Sequence, residues 1–244
     1  MQYANTVEFA IKGEYALFSD PITRVGGEKT SYQIPTYSAI KGCLESVYWK
    51  PTLIWIIDEV KVLNEIKTEA KGIRTLIYNS EESGKNASAE LSNYTYLKDV
   101  SYAVKAHFIW NENRPDLKED RNENKHYLIA KRMIEKGGRR DVFLGTRECQ
   151  AYVYPYEYDR TRSYYDNSGT RTFGLMYHSI SYPDENDKKE MIINFWNAKM
   201  SNGVIVYPPQ NECLLKKVIN YKRIKSFAIG KNCVIDNWDV KEND

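Results

Sequence analysis

The chain has 244 residues, 42% of them apolar, and a formal net charge of +2. That is enough chain and enough apolar matter for a folded core of one large or two small domains, which excludes a disordered tail or a disulfide-stapled miniprotein. No apolar run approaches the roughly 20 residues that span a bilayer, and the first residues lack a basic-then-apolar leader, so a soluble cytoplasmic protein is expected.

In chain order, residues 6–18 read as a strand, with Val7, Phe9 and Ile11 alternating against polar neighbours. A turn-rich loop follows and contains Gly26-Gly27 and Lys29. Thr36 is a natural N-cap for a helix with Tyr37, Ile40, Leu44 and Val47 on one face. Pro51 ends that helix at or before Trp49-Lys50. Residues 52–63 and 72–78 read as strands, 79–92 as a mobile polar loop, and 94–110 as a further strand. Arg114-Pro115-Asp116 opens a helical stretch reaching about Lys136, with His126, Ile129, Ala130, Met133 and Ile134 on one face. Gly137-Gly138 stops it. Residues 143–158 are β-like. The order over residues 6–158 is β-α-β-β-α-β, the ferredoxin-like or RNA-recognition-motif arrangement. Short β-like runs at 172–182, 191–196, 204–207 and 218–224 then suggest a small antiparallel sheet. The expectation is an α+β protein, with residues 1–158 a ferredoxin-like domain and residues 159–244 a C-terminal β-sheet domain.

The near-neutral net charge hides two basic stretches. Seven Lys or Arg against two Glu lie between Arg121 and Arg140, and six Lys or Arg without an acid between Leu214 and Lys231. Such patches suit a polyanion, although a solvated charged face would look the same. Arg139 and Arg140 follow Gly137-Gly138, where a side-chain-free backbone approaches phosphate closely; the pair Gly26-Gly27 is read the same way. Tyr154, Tyr156, Tyr158, Arg160, Arg162, Tyr164, Tyr165 and Arg171 interleave rings with guanidinium groups, which fits base stacking or, equally, a tyrosine-rich sheet edge. The cysteines Cys43, Cys149, Cys213 and Cys233 show no metal-ligand spacing and read as reduced thiols. Neither a metal nor a cofactor is expected. Asp99, Asp116, Glu119, Asp120, Glu123 and Asp141 supply carboxylates, but no spacing marks a metal-dependent DNA nuclease.

Several ordered blocks resemble the Cas family five of CRISPR-associated proteins, Dvulg subtype. They include Gly13-Glu14-Tyr15-Ala16-Leu17-Phe18-Ser19-Asp20-Pro21, Gly26-Gly27-Glu28-Lys29, Pro35-Thr36-Tyr37 and Tyr48-Trp49-Lys50-Pro51. Further along come Tyr94-Thr95-Tyr96-Leu97-Lys98-Asp99-Val100, Asn124-Lys125-His126, and the long run from Gly137-Gly138-Arg139-Arg140 through Gly145-Thr146-Arg147 to Gln150. The resemblance covers nearly the whole chain and fades after Trp196. It implies an endoribonuclease of the type I-C system that cuts CRISPR repeat hairpins in the precursor transcript without a metal. It also implies retention on the 5′ handle with other subunits of the interference complex. The broader family contains guide-binding subunits that do not cut, and that is the alternative.

The family's cleavage residues match Tyr48, Lys125 and His126. Metal-free cutting uses the RNA's own 2′-OH, so it needs a proton acceptor, a proton donor and a cation. His126 has the side chain for proton transfer near neutral pH, Lys125 the charge for the phosphorane, and Tyr48 a phenol for orienting the 2′-OH. Expected RNA contacts are Gly26, Gly27, Lys29, Gly137, Gly138, Arg139, Arg140, Arg147, Lys216 and Lys217. Read by itself, a lone histidine on an apolar helix face is usually a satisfied core residue, and a lone lysine is usually solvated.

Overall fold

A computed structural model describes residues 4–76, 89–160, 162–183, 185 and 190–220. The chain is a mixed α+β fold built on one mostly antiparallel open sheet. Strand β1 (Val7–Ala16) crosses the middle of the sheet, and its alternation puts Val7, Phe9 and Ile11 in the core. Helix α1 (Tyr37–Val47) begins where Thr36 Oγ1 accepts from the Ala39 N–H at 3.2 Å. It buries Tyr37, Ile40, Leu44 and Val47, the face read from the sequence. Strand β2 (Lys29–Thr30) precedes it; β3 (Leu53–Val62) and β4 (Lys67–Leu76) follow.

The long strand β5 (Ala89–Trp110) changes partner along its length. Residues 89–98 pair with β4, and 102–110 pair with β3. Asp99 marks the change with φ 51°. Residues 89–92, expected in a mobile loop, are therefore strand, because pairing with β4 satisfies their backbone groups; 77–88 lie outside the described residues.

The helical stretch expected from Arg114 is two pieces. A 3-10 turn, Pro115–Asp120, stops at Arg121, and α2 (Glu123–Glu135) restarts from Asn122, whose Oδ1 accepts from the Lys125 N–H at 3.0 Å. Strands β6 (Val142–Phe143) and β7 (Gln150–Pro155) close this half. Strands β8 (Thr170–Ser181), β9 (Met191–Ser201), β10 (Val204–Val206) and β11 (Leu215–Asn220) complete the sheet in the order β11-β9-β10-β3-β5-β1-β7-β6. Strands β2 and β4 also pair with β5, and β8 pairs with β9.

Both helices pack on the sheet, α1 over β3 and α2 over β1 and β7, and they touch each other. Between helices and sheet lies the core, with Phe9, Ile11, Leu44, Trp55 and Leu144 fully buried. Burying each such side chain stabilises by roughly 1.5–3 kcal/mol. Gly145 is required at the β6–β7 turn: its φ is +94°, and an added Cβ would sit 2.0 Å from the Leu17 carbonyl oxygen. Cys43, Cys149 and Cys213 are free and buried; Cys233 lies outside the described residues. No described helix is long and apolar enough to cross a membrane.

Candidate active site

Tyr48 follows the last residue of α1, and its backbone turns from helical to extended there (φ −154°, ψ 123°). Its N–H still donates to the Leu44 carbonyl, and its own carbonyl accepts from the Trp55 indole at 2.7 Å. Strand β3 thus pins the helix end, and the phenol points toward the first turn of α2. The phenol oxygen lies 2.7 Å from His126 Nδ1. These residues stand 78 positions apart in the chain, and the contact joins the two elements that the sequence reading required to meet.

The remaining contacts fix the imidazole's tautomer. Nε2 lies 2.8 Å from the Asp120 backbone carbonyl, which can only accept, so Nε2 carries the hydrogen. In the neutral ring Nδ1 is then the acceptor, and Tyr48 donates to it. Trp110 and Phe108 close over the ring edge-on, with centroids 5.7 and 6.2 Å away. Burial raises the Tyr48 phenol to about 12, reinforced by the Asp120 charge and opposed by the Arg139 guanidinium. It therefore remains a donor at neutral pH.

Lys125 lies beside His126 on α2 but points outward, its side chain half exposed. Its ammonium meets Asp120 Oδ1 at 2.5 Å, while Asp120 Oδ2 accepts from the Thr52 hydroxyl at 2.8 Å and lies 3.5 Å from His126 Nε2. Hydrogen bonds from Lys125 and then Thr52, together with the Lys125 charge, hold the Asp120 carboxyl below the usual carboxylate range. Asp120 was not among the cleavage residues that the resemblance implied. Its only sequence signal is the break it precedes: Asn122 followed three residues later by Lys125 reads as a fresh helix start that turns the preceding aspartate back onto the helix.

The apolar face on which the sequence places His126 is buried, and the ring is sealed with it. His126 is 0% exposed and Tyr48 only 3%. The solvent-facing members of this cluster are Lys125 and, from the adjoining loop, Arg139.

That loop also differs from its reading. The Gly137 and Gly138 N–H groups donate to Ile134 and Met133, closing α2. The Arg139 and Arg140 N–H groups donate to the Val47 and Ser46 carbonyls, capping α1. Those peptide donors are occupied by helix ends, which leaves the exposed arginine side chains as the part of this loop that faces solvent.

The other basic positions are spread along the sheet. Gly27 caps the 3-10 turn Thr23–Gly26 with open space above it, and the Lys29 ammonium lies 4.8 Å over the Tyr94 ring. Arg147 is exposed on the β6–β7 turn, at one end of the strand order. Lys216 and Lys217 are exposed on β11 at the other end, Lys216 donating to the Asn211 carbonyl. The rest of the basic stretch, beyond residue 220, lies outside the described residues. In the tyrosine-rich run, Tyr158 and Tyr165 are core residues, whereas Tyr164 is exposed. Among the described residues no three His, Cys, Asp or Glu side chains are grouped to hold a metal.

Comparison with known proteins places this geometry. Residues 6–208 match the Cas5d family, described as CRISPR-associated protein (Cas_Cas5). A Mannheimia succiniciproducens protein named CRISPR pre-crRNA endoribonuclease Cas5d is 30% identical over 226 residues, 84% of this chain and 96% of that one. A Thermus thermophilus protein of the same name is 32% identical over 151 residues, 59% of this chain and 61% of that one. Two crystal structures superpose with a TM-score of 0.71, each covering 87% of this chain and 96% of the other. One is described as a CRISPR-associated protein and is 38% identical; the other is a functionally uncharacterized Streptococcus mutans protein, 40% identical. With most of its length matched by the family and by a relative of nearly equal span, this chain belongs to the CRISPR-associated Cas5d family.

Proposed function

We propose that this protein is a metal-independent endoribonuclease that cuts CRISPR repeat hairpins in precursor crRNA and stays on the 5′ handle as a subunit of the type I-C interference complex. The naming of its relatives as pre-crRNA endoribonucleases supports the activity. The observation that carries the site is the 2.7 Å contact between the Tyr48 phenol and His126 Nδ1, with Lys125 exposed beside it. We read β3-β5-β1-β7 and the two helices as a ferredoxin-like domain of residues 1–158, with residues 159–244 its β-rich C-terminal domain, in a cytoplasmic protein.

In this reading the buried imidazole acts through the phenol. The 2′-OH gives its proton to the Tyr48 oxygen as the Tyr48 proton passes to His126 Nδ1. The 2′ oxygen bonds to phosphorus, the bond from phosphorus to the 5′ oxygen breaks, and that oxygen takes a proton from solvent. The products are a 2′,3′-cyclic phosphate and a 5′-hydroxyl. The Lys125 ammonium neutralises charge developing on the phosphoryl oxygens, and the imidazolium is stabilised by the Asp120 carboxylate 3.5 Å from Nε2. Arg139 and Arg140 grip flanking phosphates through their side chains.

The sealed ring also favours a second reading, in which His126 is a satisfied core residue and the protein holds RNA without cutting it. One experiment separates the two. Labelled cognate repeat RNA is incubated with the protein in EDTA, and the fragment ends are analysed. The first reading requires cleavage with cyclic-phosphate ends that His126→Ala abolishes while binding persists. No cleavage by the wild-type protein, or equal rates for wild type and His126→Ala, overturns it.

A further inference from the structure

We propose that Asp120 is a positioning residue for cleavage, holding the Lys125 ammonium with its carboxylate and the His126 tautomer with its backbone carbonyl. The inference rests on the reading of Tyr48, Lys125 and His126 as the cutting site. Three contacts converge on this one residue. Oδ1 meets the Lys125 ammonium, Oδ2 accepts from the buried Thr52 hydroxyl, and the main-chain carbonyl lies 2.8 Å from His126 Nε2.

The geometry makes these contacts interdependent. Thr52 sits in the turn between Tyr48 and β3 and is 1% exposed, so Oδ2 is anchored to a rigid part of the fold. Anchoring Oδ2 aims Oδ1 at α2, where it restrains a lysine that would otherwise sample many rotamers in solvent. Two of the three ammonium hydrogens remain for a phosphate. On the main chain, the 3-10 turn ends at Asp120, whose carbonyl accepts from the Asn122 N–H at 2.9 Å and takes the imidazole hydrogen at 2.8 Å, which turns Nδ1 toward Tyr48. Without that carbonyl, either nitrogen could carry the hydrogen, and a ring protonated on Nδ1 could not accept from the phenol.

The charged and titratable groups facing the ring are Tyr48 from α1, Asp120 from the 3-10 turn and Lys125 from α2 itself, with Arg139 beyond Tyr48. Phe108 and Trp110 cover the rest. Asp120 is the only one of these groups that carries negative charge at neutral pH. Removing its charge therefore leaves the Lys125 ammonium without an anionic partner among them.

The test uses the full chain and the cognate repeat RNA under single-turnover conditions from pH 5.5 to 9. Binding is read on the same RNA carrying a 2′-deoxy group at the cut position. Asp120→Asn keeps the backbone carbonyl and the size but loses the charge. Cutting is expected to fall roughly 10- to 100-fold with affinity within threefold. In the double variant with Lys125→Ala the loss is expected to equal that of Lys125→Ala alone, because one residue acts through the other. Asp120→Glu restores part of the rate, and carries the same double-variant comparison if the asparagine protein melts below the assay temperature.

Cutting within twofold of wild type overturns the proposal, as do losses that simply multiply in the double variant. His126→Ala and Tyr48→Phe run alongside: wild-type rates in both would remove the site itself, whereas inactive controls beside an unaffected Asp120→Asn remove only the role of Asp120.

Discussion

Tyr48→Phe tests the hydrogen bond at the centre of the site while leaving the ring packing in place. Only the hydroxyl is lost, so no large cavity forms. What remains is His126 Nδ1, an acceptor in a fully buried ring, whose other nitrogen is committed to the Asp120 carbonyl. Leaving a buried polar atom unsatisfied costs about 1–3 kcal/mol. For a chain of this size that corresponds to a fall in Tm of about 2–12 °C. Differential scanning calorimetry at pH 7.5 reads the stability, and single-turnover cleavage of the cognate repeat reads the chemistry, with an expected loss of roughly 100- to 10,000-fold. Binding of uncleavable RNA should remain within threefold. A protein that melts several degrees lower yet cuts at the wild-type rate would show that the phenol lies off the reaction path. Unchanged melting together with unchanged cutting would refute both the energetic and the chemical part of the argument.

Three further outcomes are expected. His178 is fully buried, stacked on Tyr37 with centroids 4.4 Å apart, and burial lowers its pKa to about 4. The unfolded chain binds this proton first, so roughly 3 kcal/mol of stability, present above pH 6.5, is lost as pH falls toward 4; His178→Phe should flatten that part of a denaturation-against-pH curve. Gly145→Ala forces a Cβ onto the Leu17 carbonyl at positive φ and should destabilise by at least about 2 kcal/mol in urea titration. Replacing Lys216 and Lys217 together by alanine should reduce the slope of log affinity for RNA against log salt by about 1.4–1.8, and an unchanged slope would mean that β11 does not meet phosphate.

The local part of the fold was legible because its signals are local. Alternation placed β1, a threonine cap and a four-residue rhythm placed α1, and the face read for α2 holds its buried residues His126, Ala130 and Ile134, with Ile129 and Met133 partly buried beside them. Pairings between distant segments were not legible. Nothing in residues 204–206 announces that β10 docks on β3, and nothing in residues 89–92 names β4 as their partner. The meeting of Tyr48 with His126 came from family resemblance rather than from spacing, since no period links positions so far apart. The loop 137–140 was misread for a physical reason: glycines followed by arginines suit phosphate, but they suit helix ends equally, and two such ends lay within reach. Asp120 escaped notice because its partners are set by a helix break in a stretch, Leu117 to Tyr127, whose intervening residues are all polar and give no rhythm to mark it.

The cap that Arg139 and Arg140 place on α1 has a mechanical consequence. Their amide groups fasten the final turn that ends at Tyr48, while their guanidinium groups reach into solvent. In the proposed reading, RNA held by those guanidiniums would load the same peptide linkages on which the phenol is mounted. Grip and blade would then share one handle, so that a strand held in the wrong pose would shift the atom proposed to sever it.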